Sequence, residues 1–488
     1  MINNASLSKY KSLPVQVRAS LWFLICSFLQ KGISVIATPI FTRLLSTAEY
    51  GQYGAFDSWL QIITIFVSLQ LYSGVYTQGL VKFSDDRHCF SSSIQGLTFV
   101  LATSWTIVYL LFRSYWNDLF SLTTVQMLAM LVMIWSTSVF NLWAGEQRVE
   151  YKYRTLVIVT LAVSVAKPAV GIVFIKCATD KVTARILGLA LVELIGYSFF
   201  FFLQMKRGKH FYSIKYWKHA LLFNIPLIPH YLSQTVLNSA DRIMIKNMIG
   251  DSEAGIYSLA YSISLIMTLF NTSLMQTISP WMYQRIKDKN ERSIAPVAYI
   301  TLIVIASVNL ILILFAPEAV AIFAPKEYRN AIWIIPPVAM SVFFMYSYDL
   351  FAKFAFYYEK TKLIMIASVF GAILNIILNY IFIHMFGYIA AGYTTLACYI
   401  VYAVLHYVFM VKVCYEQGGI KQPYETKIIL AISFAFVIAG FLLMMTYNNP
   451  YLRYGFVGIV LLVVIIKRKK IVSIFKRIID LKSKKKTE

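Results

Sequence analysis

Acidic side chains are few in this chain: 22 aspartates and glutamates stand against 45 lysines and arginines over 488 residues, and charged residues of both signs amount to 14%. A soluble globule carries roughly 25%, so composition already argues against one. The five cysteines, Cys26, Cys89, Cys177, Cys398 and Cys414, are isolated from one another, which fits neither a disulfide framework nor a metal site. Glycine-rich phosphate loops, the HExxH pair and the dinucleotide glycine pattern are missing, and with them the residues for nucleotide-driven pumping or metal hydrolysis. No cofactor is expected. Long polar connections are missing too: no gap between apolar runs exceeds about 15 residues, enough for a loop or a short surface helix but not for a folded soluble domain. That shortage weighs against a membrane polysaccharide polymerase or ligase, and the chain is not expected to be an enzyme. The acidic loop pair Asp85-Asp86 runs into Arg87 and His88 and reads as a solvated turn.

What is present is apolar: 59% of residues are hydrophobic and the mean hydropathy is +0.66. Membrane-length runs fall at about 19–41, 56–79, 92–112, 122–145, 154–175, 185–205, 220–245, 255–278, 297–316, 330–352, 363–383, 388–411, 427–446 and 451–466. The chain therefore reads as an all-α polytopic membrane protein of about fourteen transmembrane helices, or twelve if the last hairpin does not span. Met1 to Arg18 is polar and the run after it is full length with no small-residue cleavage site, so the first helix is expected to serve as the targeting signal.

The net charge of +23 could point to nucleic acid, but the basic residues lie between apolar runs and on the tail, where they orient helices against an anionic leaflet. With the N-terminus cytoplasmic, 33 of the 45 basic residues fall inside and ten outside, leaving Lys31 and Lys167 in the core. Both termini are expected inside. The tail from Lys467 to Lys486 spaces Ile471, Val472, Phe475, Ile478 and Ile479 as an interfacial helix would; a solvated basic tail is the alternative.

Glu49-Tyr50-Gly51-Gln52-Tyr53 and Glu253-Ala254-Gly255-Ile256-Tyr257 share the pattern ExGxY at an offset of 204 residues. Six helices lie between corresponding points, so the copies share an orientation, as in a parallel repeat. The glycines are expected to serve tight turns at positive φ. The resulting organisation is an N-terminal six-helix lobe over 1–205, a basic cytoplasmic linker over 206–219, a C-terminal six-helix lobe over 220–411, an additional hairpin over 412–466 and a basic cytoplasmic tail over 467–488.

Polar stripes mark several helices. Ser27, Lys31, Ser34 and Thr38 share a face of the first; Asp57, Gln61, Thr64 and Ser68 of the second; Thr160, Ser164, Lys167 and Gly171 of the fifth, beside Pro168; and His230, Gln234, Asn238 and Asp241 of the seventh, below Pro226 and Pro229. In the eighth, Asn271, Ser273, Gln276 and Ser279 form a broader patch. Serine, threonine, asparagine and glutamine commonly glue helices together, but packing needs no charge. An ammonium at bilayer depth costs about 2.5–3.5 kcal/mol or more, so Lys31 should face a watery or protein-lined interior; a lysine bonded to nearby carbonyls is the bland alternative. Lys31, Arg43, Lys167 and Arg242 bias the interior and its outer mouth towards an anionic ligand. Asp57, Glu193 and Asp241 are the candidate coupling or gating carboxylates, Glu193 without an obvious partner in sequence, and Asp349 is expected to pair with Lys353.

These residues resemble a known family. Lys31-Gly32, Pro39-Ile40 and Thr42-Arg43-Leu44-Leu45-Ser46 leading to Glu49-Tyr50-Gly51, then Asn224-Ile225-Pro226-Leu227-Ile228-Pro229, Asn238-Ser239-Ala240-Asp241-Arg242, Gly250, Ala254-Gly255-Ile256-Tyr257 and Gly387 to Gly392 are similar to the Wzx-type polysaccharide (O-antigen) flippases. That group belongs to the multidrug/oligosaccharidyl-lipid/polysaccharide exporter superfamily, and the likeness runs to about Val411. The resemblance implies two six-helix bundles around a central cavity, alternating access, and outward transport of an undecaprenyl-diphosphate-linked oligosaccharide in a bacterial inner membrane. It further implies proton or sodium coupling, with polysaccharide polymerase and chain-length proteins as partners. A lipid II-type flippase and a multidrug/cation antiporter are the alternatives within the superfamily. The antiporter would be expected to hold a carboxylate in the first helix, where this chain has Lys31 and no acid from Ala19 to Thr47.

Overall fold

The computed structural model describes residues 14–417, 423–456, 458 and 466. Its regular structure is entirely helical and gathers into two compact units, Met1–Ser239 and Ala240–Glu488. The tail over 467–488 and half of the fourteenth apolar run lie outside the described residues.

The N-terminal unit holds α1 (Val15–Leu44), α2 (Thr47–Ser68), α3 (Gly74–Lys82), α4 (Arg87–Leu111), a short α5 (Arg113–Phe120), α6 (Thr124–Val149), α7 (Tyr153–Cys177), α8 (Lys181–Gly208) and α9 (Ile214–Asn224). α10 (Ile228–Met248) carries the boundary. α6 is the most enclosed helix of this unit and packs against α2, α4 and α8, while α7 packs between α8 and α1. Large apolar side chains left bare on the outside, such as Ile36, Leu111, Ile195 and Phe202, would be an aggregation hazard in water and are what lipid tails require.

The C-terminal unit continues with α11 (Asp251–Ser264), α12 (Thr268–Lys287), α13 (Ile294–Leu314), a short α14 (Ala316–Phe323), α15 (Ile335–Tyr357), α16 (Thr361–Phe386), α17 (Ala390–Glu416) and α18 (Thr426–Met445). α15 is its centre, packed against α11, α12, α13 and α17. Gly392 of α17 lets the chains close up there: a Cβ at that position would lie 3.1 Å from the Pro337 ring. Gly387 ends α16 at φ 76, a left-handed position that glycine takes without strain.

Eleven of the fourteen apolar runs are helices long and apolar enough to cross a membrane. The second and seventh runs are not among them, and both are broken. Instead of one helix over 56–79, α2 stops at Ser68, Leu69 and Gln70 turn left-handed at φ 47 and 52, and α3 begins at Gly74. Instead of one helix over 220–245, α9 passes through a 3-10 turn at Ile225–Leu227 into α10, where Pro226 and Pro229 withhold two backbone donors. The two breaks are joined: Asn224 Nδ2 donates to the carbonyls of Leu69 and Gln70, at 2.8 Å each. Irregular backbone at membrane depth needs such internal partners.

One expectation changes. Gly51 and Gly255 do not sit in turns; they are buried inside α2 and α11 with no positive φ, and Gly250, at φ 158, precedes α11 instead. Glu49 explains the first ExGxY copy differently, since it forms a capping box: its carboxylate accepts from Ser46 N at 2.7 Å and its own N–H donates to Ser46 Oγ at 3.2 Å. Asp85 and Asp86 are exposed, as the sequence predicts, while the two residues after them are engaged. Arg87 Nε donates to Leu80 O, and His88 Nδ1 lies 3.2 Å from the fully buried Glu146, whose other oxygen accepts from Gln204 Nε2.

Candidate functional site

Each unit presents one arrangement that packing alone does not explain. In the N-terminal unit it is the face of α1 around Lys31. Cys26, Ala37 and Phe41 bury the side of α1 that meets α7, and at 100° per residue Lys31 stands roughly 120–140° round from Cys26 and Ala37. Its side chain is exposed and has no hydrogen bond or ion pair among the described residues. A Cβ added at the neighbouring Gly32 would meet nothing within 4 Å. Along the same face Ser27 and Thr38 bond back to the carbonyls of Phe23 and Ser34, which quiets their polarity without neutralising the lysine. The stripe read from sequence is thus the open face of the helix.

The other basic candidates are engaged. Arg43 folds back so that Nη1 donates to Pro39 O at 2.7 Å, where Thr42 Oγ1 also donates; a cation there suits the negative end of α1. Lys167 forms an ion pair with Glu193 of α8, and Thr137 of α6 donates to the second carboxylate oxygen at 3.1 Å. Glu193 therefore has the partner that its sequence neighbourhood did not reveal. Arg242 places its guanidinium 5.2 Å from the Tyr261 ring centroid. On α2, Asp57 accepts from Gln61 Nε2 at 2.8 Å, and Gln61 Oε1 accepts from Ser239 at 3.1 Å.

Arg185 has a setting that could not be read from the sequence. It is 8% exposed in the first turns of α8, its guanidinium 3.5 Å from the Tyr53 ring centroid and 3.9 Å from that of Phe41, with Nε and Nη1 unbonded. Aromatic faces attract a desolvated guanidinium. Nothing local marks it, because both rings lie more than 100 positions away in sequence.

In the C-terminal unit the focus is Asp241, which is 1% exposed. Tyr257 OH of α11 and Thr395 Oγ1 of α17 donate to Oδ2 at 2.5 and 2.8 Å, and Asn379 Nδ2 of α16 donates to Oδ1. Asn379 in turn donates to Asn375 Oδ1 at 3.2 Å and accepts from Thr394. All three donors to the carboxylate are uncharged. Ionised carboxylates in low dielectric are costly without an opposite charge, and Arg242 is the next residue along α10. The helices reach this point by different routes: α10 from the proline break, α11 after Gly250, α16 and α17 on either side of Gly387. Sequence reasoning found Asp241 and passed over Asn375, Asn379, Thr394 and Thr395. The pair Asn375 and Asn379, spaced i, i+4 within an otherwise apolar run, was the available signal.

Residues 17–286 match the family described as polysaccharide biosynthesis protein, and residues 226–381 match the MatE family. The chain is similar to an Lsg locus protein of Haemophilus influenzae, 22% identical over 369 residues that span 73% of this chain and 88% of that protein. Among solved structures it is similar in fold to the lipid II flippase MurJ in an inward closed conformation, with a TM-score of 0.66, 17% identity, and 92% of this chain and 100% of that chain covered. A multidrug resistance MATE transporter of the MOP superfamily, inward-facing, gives a TM-score of 0.60 at 13% identity, covering 80% of this chain and 96% of the other.

Proposed function

This chain belongs to the polysaccharide biosynthesis protein family, and from that premise we propose that it is a flippase for undecaprenyl-diphosphate-linked oligosaccharide repeat units of an O-antigen or related surface polysaccharide. Its family and fold are those of transporters, and it is a multi-pass membrane protein. In this reading it works in the bacterial inner membrane with both termini cytoplasmic, and passes its substrate from the cytoplasmic to the outer face by alternating access. The lobes over 1–205 and 220–411 are the moving bundles.

The observation that carries the reading is the unpaired ammonium of Lys31, at mid-span on the open face of α1. An uncompensated charge at that depth is retained against a cost of about 2.5–3.5 kcal/mol, and a diphosphate headgroup is a ligand that repays it through charge-assisted contacts. Arg43, Lys167 and Arg242 add positive charge to the substrate path. Asp241 carries the coupling ion, a proton or sodium, and Asp57 and Glu193 act in gating.

The test uses the purified full-length protein in liposomes carrying lipid-linked oligosaccharide extracted from host cells that lack this chain. Outward movement of the sugar that depends on an ion gradient is expected. Absence of movement under proton and sodium gradients alike, with correctly inserted protein, would remove the proposal.

A further inference from the structure

The C-terminal unit contains a cavity of about 440 Å³ between α12 and α15, whose lining shares no residue with the Asp241 network. Its size falls in the range of about 300–1,000 Å³ that small ligands occupy. Its walls have an unusual chemistry for a membrane bundle. Asn271 is 9% exposed; its Nδ2 donates to Val342 O at 2.9 Å, which leaves the buried Oδ1 with no partner. The side-chain amide of Gln276 and the hydroxyl of Tyr348 also line the cavity and have no hydrogen bond among the described residues. The Tyr348 ring is braced from behind by Tyr402, at 4.5 Å between centroids, and by Tyr399, nearly parallel at 6.4 Å. Lys353 donates to Asp349 at 2.6 Å, so the two charges in the wall cancel and the ammonium is already taken.

Different ligand classes fare differently against such a wall. A phosphate or diphosphate would meet Asp349 and find no free cation. An apolar molecule would take the Gln276 amide and the Tyr348 hydroxyl out of water without partners, and a polar group buried unpaired costs about 1–3 kcal/mol. A neutral sugar offers hydroxyls that both donate and accept, together with C–H faces that lie against a fixed aromatic ring. We propose that this cavity is a subsite for an uncharged sugar of the lipid-linked oligosaccharide, read by Gln276, Tyr348 and the second carboxylate oxygen of Asp349. It rests on the flippase reading above and deepens it: the headgroup charge is read at Lys31, and a sugar is read here.

The experiment measures the affinity of the full-length protein in nanodiscs for two probes, undecaprenyl diphosphate and the lipid-linked oligosaccharide extracted from host cells lacking this chain. The wild type is expected to bind the sugar-bearing lipid about tenfold more tightly, the worth of one or two net hydrogen bonds. In the double variant Gln276→Ala, Tyr348→Phe that advantage should shrink to within about twofold while affinity for the bare lipid is unchanged. Gln276 is exposed and Tyr348→Phe keeps the ring, so the fold should survive; Gln276→Ala alone gives an intermediate ratio. Lys31→Ala should weaken both probes equally and preserve their ratio. A tenfold advantage that persists in the double variant overturns the subsite and leaves the flippase reading intact, and equal binding of both probes by the wild type does the same. Binding of neither probe by the wild type overturns the flippase reading, and the subsite with it.

Discussion

Tyr257 donates its hydroxyl to Asp241 at 2.5 Å, so α11 is pinned to a carboxylate of α10 whose hydrogen-bond donors among the described residues, Tyr257, Thr395 and Asn379, are all uncharged. If that carboxylate exchanges a proton or a cation during transport, this bond changes strength in every cycle. Asp241→Asn is expected to abolish the dependence of transport on the ion gradient; its amide oxygen can still accept from Tyr257 and Thr395, while its Nδ2 meets Asn379 Nδ2, donor against donor, until the Asn379 amide turns over. Transport measured against imposed proton and sodium gradients decides it; an unchanged gradient dependence removes the coupling role.

Lys31 should matter as a charge. Lys31→Arg is expected to keep much of the activity, Lys31→Gln and Lys31→Ala to lose most of it, and Lys31→Glu to be worst, since it would repel a diphosphate. Stability runs the other way: because Lys31 has no partner among the described residues, Lys31→Ala relieves a charge at depth and should not lower abundance. Surface polysaccharide and membrane protein level measured in the same cells separate the two effects. Normal export by Lys31→Ala would take the anion site away from α1.

The Lys167–Glu193 pair makes a stability prediction. Removing one partner of a buried pair costs about 3–5 kcal/mol, and since Lys167 is about a third exposed (31%), solvent should bring the loss towards or below the low end. Glu193→Leu is expected to lower the melting temperature in detergent, and Lys167→Met added to it should recover most of the loss. If each single variant melts like the wild type, the pair is not a structural tie, and a gating role for Glu193 gains ground.

Asn224→Leu should loosen the broken second element. It withdraws two donors from the carbonyls of Leu69 and Gln70, worth about 1 kcal/mol each. Hydrogen exchange confined to 69–74 should rise while α6, elsewhere in the same unit, keeps its protection. Unchanged exchange there would mean that water already serves those carbonyls.

The helical architecture was legible in the sequence because a membrane span announces itself by length and apolarity alone: α1, α4, α13 and α18 follow from that. The breaks were not, since the halt at Ser68 depends on Asn224 bonding carbonyls from a distant position, and no window centred on Leu69 contains that information. Lys31 and Asp241 were visible because ionisable residues in apolar runs stand out on their own. Asn379, Thr394 and Thr395 pass for ordinary interhelical glue until the carboxylate they face is known. Arg185 resembles a loop cation until Phe41 and Tyr53 close over it.

The bond from Asn224 to Leu69 also sets an order of events at the ribosome. The carbonyls it satisfies are made 155 residues before their donor, which at about 5–20 residues per second is roughly 8–30 s of synthesis. Throughout that interval the nascent α2–α3 segment has an opened backbone and no Asn224 to cover it, so it must wait in water, in the translocase or beside an insertase. A fragment cut at residue 205 would remain in that waiting state permanently. The opened backbone near the start of the N-terminal unit is thus covered only when that unit's own last helices have been made.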